Sequence, residues 1–237
     1  VKKCPFEALK VVNLPEELKE PVHQYGLNGF RLYNLPSPRD GVVGILGRNG
    51  IGKTTLLRIL SGELKPNLGN LEKEPSWEEI IERYRGQEIQ SYLKSLAQKE
   101  IKAVYKPQFV DLLPKYIRGK VKEILKRGDE KDNFDEIVEK LNLKNALEKQ
   151  ISDLSGGELQ KVTIAMALLR EADVYLFDEP SAYLDIEERL RMAKTIREIN
   201  KKIFVVEHDL VVLDYLADYL HILYGSSGAY GVVSNIK

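Results

Sequence analysis

An α/β fold around a mostly parallel sheet is predicted by three features of this sequence. Apolar runs rich in β-branched and aromatic residues recur at 42–46, 174–177 and 203–206, each followed directly by Gly, Asp or Glu. Runs this short and this apolar read as strands buried on both faces. Each is preceded or followed by a helical pattern, and that alternation lays helices over a parallel sheet. The third feature is Gly225-Ser226-Ser227-Gly228, which lies between runs at 219–224 and 229–233 and reads as the turn of a β-hairpin.

Two blocks are helical. Across 76–98, Trp77, Ile80, Ile81 and Tyr84 share one helical face, Gly86 breaks the run, and Ile89, Tyr92, Leu93 and Leu96 form a second face. Across 119–150, Val121, Ile124 and Leu125, then Ile137, Val138 and Leu141, mark a second block, read as a helical subdomain inserted into the sheet domain.

Composition bounds the function classes. The 237 residues allow one large α/β domain or two small ones, and 43% hydrophobic residues supply a core and argue against disorder. The 36 basic and 36 acidic residues cancel, so the chain has no global attraction for nucleic acid. Cys4 is the single cysteine, which excludes an internal disulfide framework and fits a reducing cytosol. The sequence starts without a signal-peptide pattern and has no apolar run near the ~20 residues that span a bilayer. Its most apolar stretch, 203–224, is interrupted by Glu207, His208, Asp209, Asp214 and Asp218. A cytoplasmic chain without membrane contact is the expectation; any pore would belong to another chain.

Gly47-Arg48-Asn49-Gly50-Ile51-Gly52-Lys53-Thr54 fits the phosphate-loop pattern G-x-x-x-x-G-K-[ST]. Its glycines let the backbone fold around a β-phosphate with amide N–H groups pointing inward, and the helix starting near Lys53 adds its positive end. Lys53 then reaches the β- and γ-phosphates, Thr54 ligates Mg²⁺ and Thr55 bonds the α-phosphate, with Asn49, Gly50, Ile51 and Gly52 forming the cradle. Asp178 and Glu179 end an apolar strand, where successive side chains diverge and take different roles. Asp178 holds a Mg²⁺-bound water, and Glu179 polarises the attacking water. His208 follows the strand at 203–206, at the sheet end where open parallel sheets bind ligands, and it is a candidate contact to the γ-phosphate. Gln108, in Lys106-Pro107-Gln108-Phe109, reads from its neighbours only as a loop amide.

Leu154-Ser155-Gly156-Gly157-Glu158-Leu159-Gln160 is the signature sequence of ATP-binding cassette proteins, and the chain resembles that family over nearly its whole length. The resemblance implies a P-loop NTPase fold with a mostly parallel core sheet and an antiparallel β subdomain. It also implies a helical subdomain carrying the signature, here 111–170, and a helix-loop-helix insert at 76–98, within one cassette domain spanning 1–237. Ser155, Gly156 and Gly157 at a helix start make an anion site. In the family that site binds the γ-phosphate held by an opposite domain. Gln108 resembles the Q-loop glutamine, a metal and catalytic contact; Ser181-Ala182-Tyr183-Leu184-Asp185 resembles the D-loop; His208 resembles the switch histidine. An aromatic upstream of the P-loop stacks on adenine in the family, which points to Tyr25 with Phe30 as competitor. ATP or ADP and Mg²⁺ are the implied ligands, and a second cassette is the implied partner.

A narrower resemblance is carried by Gly47 to Lys53, Lys65-Pro66-Asn67-Leu68-Gly69, Asp178-Glu179-Pro180-Ser181-Ala182-Tyr183-Leu184-Asp185 and Val205-Val206-Glu207-His208-Asp209. These segments are similar to the ribosome-recycling cassette ATPases of the RNase L inhibitor family; transport ATPases usually have Thr and a small residue at positions 181 and 183. The likeness is to the family's first cassette, whose insert contacts the ribosomal small subunit, with release and recycling factors as further partners. Val1-Lys2-Lys3-Cys4-Pro5 resembles the tail of a ferredoxin run. One thiolate cannot hold a cluster, so the iron–sulfur cluster is expected only in a full-length protein that also carries the second cassette. Two rivals stay open. A transporter's ATPase subunit would need a groove near the Q-loop for a coupling helix, and a nucleotide-gated scaffold would bind ATP without turnover.

Overall fold

The computed structural model describes residues 20–236; Cys4 and the ferredoxin-like run at 1–5 lie outside them. The strands are β1 (His23–Gln24), β2 (Arg31–Tyr33), β3 (Gly41–Gly47), β4 (Ala103–Lys106), β5 (Val174–Asp178), β6 (Lys202–Val206), β7 (Tyr219–Ser226) and β8 (Tyr230–Val233). They form one sheet in the order β1-β2-β8-β7-β3-β6-β5-β4. From β7 to β4 every pairing is parallel. The hairpin β7–β8 and the pair β1–β2 are antiparallel, and β2 runs parallel to β8. The expected antiparallel portion is therefore an edge of the same sheet, joined through β7, which pairs with both β3 and β8.

Alternation within β5 and β6 explains the layers. Val174, Leu176, Phe204 and Val206 enter one buried cluster with Val43 and Ile45; Tyr175, Phe177, Ile203 and Val205 enter the other. Successive strand side chains point to opposite faces, so a strand covered on both faces must be apolar throughout. The first face is covered by α1 (Lys53–Leu60), α2 (Trp77–Arg83) and α3 (Ile89–Ala97) through residues such as Leu57, Ile80 and Leu93. The second is covered by α5 (Val121–Arg127), α6 (Phe134–Lys140), α7 (Gly156–Leu168), α8 (Ile186–Arg197) and α9 (Leu210–Leu216). Short α4 (Leu113–Tyr116) precedes α5.

The 76–98 pair has a sharp beginning. Ser76 Oγ accepts from Glu79 N–H, and Glu79 Oε2 accepts from Ser76 N–H, a reciprocal cap that satisfies two otherwise unpaired donors. Gly86, at φ +79°, turns the chain between α2 and α3. Ile80, Tyr84, Ile89, Tyr92 and Leu93 are buried, so both apolar faces read from the sequence pack inward. Among the described residues, no helix is long and apolar enough to cross a membrane.

Candidate active site

The loop from β3 to α1 forms the floor of a cleft of about 470 Å³. Gly50 and Gly52 take φ of +74° and +93°, and Gly52 is the N-cap of α1. Glycine is required there by conformation, and a Cβ would in addition displace a side chain, standing 2.4 Å from Ser227 Oγ at Gly50 and 2.4 Å from the Phe30 ring at Gly52. The loop is also propped from the β7–β8 turn: Ser227 Oγ donates to Asn49 O at 2.9 Å, and Gly228 N–H donates to Gly50 O at 2.9 Å. Neither prop was visible in the motif, because the turn approaches only through the tertiary fold.

Lys53 is buried, and its ammonium donates to Gly47 O at 3.0 Å, Arg48 O at 2.9 Å and, more weakly, Asn49 Oδ1 at 3.4 Å. Burial lowers its pKa, opposed by the charges of Glu179 and Asp178. Asp178, at the end of β5, is fully buried. Its Oδ2 accepts from Thr54 Oγ at 2.7 Å and from the Tyr105 hydroxyl at 3.2 Å, while Oδ1 has no hydrogen-bond partner among the described residues. Burial pushes its pKa up, and the Thr54 and Tyr105 hydrogen bonds pull it back. An orphaned carboxylate oxygen beside a threonine hydroxyl is an oxygen set that suits a hydrated hard cation, so these residues fit Mg²⁺.

Glu179 adopts φ +47°, rare for a residue with a side chain. Its Oε1 lies 3.0 Å from His208 Nε2, so the two catalytic candidates from adjacent strands β5 and β6 meet. Gln108, just past β4, lines the same cleft, as do Tyr25, Thr54 and Thr55. Tyr25 is 43% exposed with its hydroxyl 3.4 Å from Thr55 Oγ; Phe30, its competitor, lines the same cleft and is half-buried with its ring against Gly52. Ile51 is buried, leaving only its main chain to serve the cradle. Lys106 was not singled out from sequence. It is buried, donates to Asp178 O at 3.1 Å, and has its pKa lowered to about 8 by burial against the pull of Asp178, Glu207 and Glu179.

Ser155, Gly156, Gly157 and Asp185 do not line this cleft. Ser155 caps α7 in a reciprocal box with Glu158, and Asp185 caps α8 by accepting from Glu188 N–H at 2.9 Å. An adjoining groove of about 550 Å³, sharing Thr54 and Gln108 with the cleft, is otherwise lined largely by apolar side chains including Phe109, Leu113, Tyr116 and Met166.

A phosphate loop at the end of a central parallel strand, with acidic strand ends beside it, defines a nucleotide-binding α/β domain. The family pattern described as ABC transporter matches residues 32–182, and the chain belongs to that family as an ATPase domain. It is 58% identical over its full length to an uncharacterised ABC transporter ATP-binding protein of Methanocaldococcus jannaschii, covering 40% of that protein. It is 49% identical over 99% of its length to translation initiation factor RLI1 of Saccharomyces cerevisiae, again covering 40%. Among solved structures it is similar to an archaeal ribosome recycling factor, aABCE1, in complex with the archaeal ribosomal stalk protein aP1. That match has a TM-score of 0.90 and 50% identity, covering 94% of this chain and 44% of the other. The chain thus spans about two fifths of the curated relatives it matches.

Proposed function

We propose that this chain is an ATP-binding and hydrolysing cassette that closes on a second cassette and, within a longer protein, splits ribosomal subunits. The observation carrying the hydrolytic part is the Asp178 carboxylate, one oxygen on the Thr54 hydroxyl and the other unpartnered among the described residues, directly before Glu179. Mg²⁺ held by Thr54, Gln108 and, through water, Asp178 would offset the negative charge of the phosphates. Amides between Asn49 and Thr54 and the Lys53 ammonium bind the β- and γ-phosphates, Thr55 the α-phosphate, and Tyr25 stacks on adenine. Glu179 takes a proton from the attacking water, a contribution of roughly 10²–10⁴ in rate. His208 orients that carboxylate and contacts the γ-phosphate.

Ser155, Gly156, Gly157 and Asp185 serve the nucleotide of the facing cassette, and its counterparts complete this one. Closure then depends on γ-phosphate contacts and is released when hydrolysis removes them. We take 1–237 as one cassette, 111–170 as its helical unit and 76–98 as the insert whose outer face meets the ribosomal small subunit. Similarity to the yeast translation factor and the archaeal recycling factor supports that assignment, together with cytoplasmic location and release or recycling factors as partners. An iron–sulfur cluster belongs in this proposal only to the longer protein.

The test is ATP turnover with and without the second cassette, alongside pelleting with ribosomal small subunits. Turnover stimulated by the second cassette and co-sedimentation are expected. ATP binding without turnover, even with that cassette present, would leave a nucleotide-gated scaffold. The apolar groove beside Gln108 favours a second reading, the ATPase subunit of a transporter, with a coupling helix in the groove. Co-purification with membranes rather than ribosomal small subunits would decide for it.

A further inference from the structure

Next to His208, and unused by the chemistry above, Glu207 is buried with 1% of its surface exposed. Its Oε1 accepts from Ser181 N–H at 2.7 Å; its Oε2 accepts from the Ser181 hydroxyl at 2.8 Å and from His208 N–H at 3.2 Å. His208 Nε2 in turn lies 3.0 Å from Glu179 Oε1, and the chain returns from Glu179 through Pro180 to Ser181. The result is a closed ring of covalent and hydrogen bonds through Glu179, Ser181, Glu207 and His208. Gln160 fixes its outer side by donating to Glu179 O and Pro180 O, both at 2.9 Å.

Ser181 also opens the segment that ends at Asp185. Tyr183 in that segment is exposed, at φ +63°, and its carbonyl lies 3.0 Å from where a Cβ on Gly157 would stand. The ring therefore borders both the attacking residues and the surface that faces a second cassette. A buried carboxylate is costly unless its oxygens are bonded, and here both are. Lys106, which donates to Asp178 O at 3.1 Å, brings an opposite charge into the same buried region. A neutral pair could fill the same space at lower desolvation cost. What the carboxylate adds is the capacity to hold two donors of one loop and a third from the next.

We propose that Glu207 is a positioning residue whose carboxylate links the segment 181–185 to His208, so that docking of a facing cassette and orientation of Glu179 become one event. The link rests on the ATPase reading above. A shift of Ser181 drags Glu207, Glu207 moves the His208 backbone, and the imidazole carries the change to the Glu179 carboxylate.

The test assays the chain with its partner cassette, measuring steady-state ATP turnover and binding of a fluorescent ATP analogue. The variants are Glu207→Gln, Ser181→Ala, the two combined, and Ser181→Thr. Each of the first two is expected to lower kcat about tenfold, with KM and analogue affinity within about twofold. The double variant should be no worse than the worse single one, since both cut one link. Ser181→Thr keeps the hydroxyl and should keep kcat near wild type. Wild-type kcat in Ser181→Ala, losses that multiply in the double variant, or a parallel loss of affinity would overturn the link. If Glu207→Gln does not fold, Ala against Thr at position 181 decides alone. A wild-type chain that fails to turn over with its partner defeats the ATPase reading instead, so the two failures are distinguishable.

Discussion

The cleft and the signature turn both lie at the N-terminal ends of helices, yet they are built differently. At the cleft, α1 begins from a glycine in the left-handed region, and buried Lys53 and Asp178 converge with Glu179 and His208. At the start of α7, Ser155 is exposed, its hydroxyl is engaged with Glu158, and Glu158 is paired with Lys149. One end holds a nearly complete set of groups within a single chain. The other is a capped helix start with two glycines at the surface. On the proposed function, the difference makes binding and closure separable: the buried end would decide whether nucleotide is held, the exposed end whether a second cassette responds.

The comparison breaks most visibly at Glu179. Glu179→Gln should lower kcat by roughly 10²–10⁴ while ATP remains bound and the paired state persists in size-exclusion chromatography. Unchanged turnover would remove Glu179 from its role and require another group in the cleft to activate the water. Next in size, Lys53→Ala should weaken nucleotide affinity by roughly 10–100-fold, since hydrogen bonds to charged groups contribute about 1.5–3 kcal/mol. Titration with a fluorescent nucleotide reads this directly, and intact affinity would count against the cradle.

Asp178→Asn sharpens the contrast through stability. Burial raises the Asp178 pKa in the folded chain above its unfolded value, so the ionised form opposes folding above the raised pKa. The Asn variant should therefore unfold at a higher temperature at neutral pH while losing Mg²⁺-dependent turnover. As pH falls through the raised pKa toward the unfolded value, wild type takes up its proton in the folded state and the gap should narrow. A gap that widens on acidification would refute the burial argument. The smallest effect is expected at the exposed end, where Ser155→Ala removes a cap and should cost about 1 kcal/mol in denaturant unfolding. It should leave nucleotide affinity of the isolated chain alone, and a loss there would place Ser155 in the wrong half of the comparison.

Legibility in the sequence follows the same divide between local and tertiary causes. Strands β3, β5 and β6 were readable because burial on both faces demands unbroken β-branched and aromatic runs. Strand β4 was missed: four residues at the sheet edge, ending in a buried lysine, carry no such pattern. Strands β1 and β2 are shorter still and hold His, Gln and Arg. Of the candidate site, the cradle and the two acids were visible because the phosphate-loop pattern and the acidic strand end fix residue type at fixed spacing. Tyr105, Lys106, Ser227 and Glu207 were not, since each matters through a contact made only when distant strands are paired.

The position of β3 in the sheet has a consequence for how the chain comes into being. Both of its neighbours, β6 and β7, lie near the far end of the sequence. On a translating ribosome, Val42, Val43 and Ile45 therefore emerge long before either strand that will shield them, with open hydrogen-bonding edges on both sides. Such a segment is a hazard for misassociation until the last strands arrive. Competence to hold a triphosphate is thus among the final properties this domain acquires during synthesis.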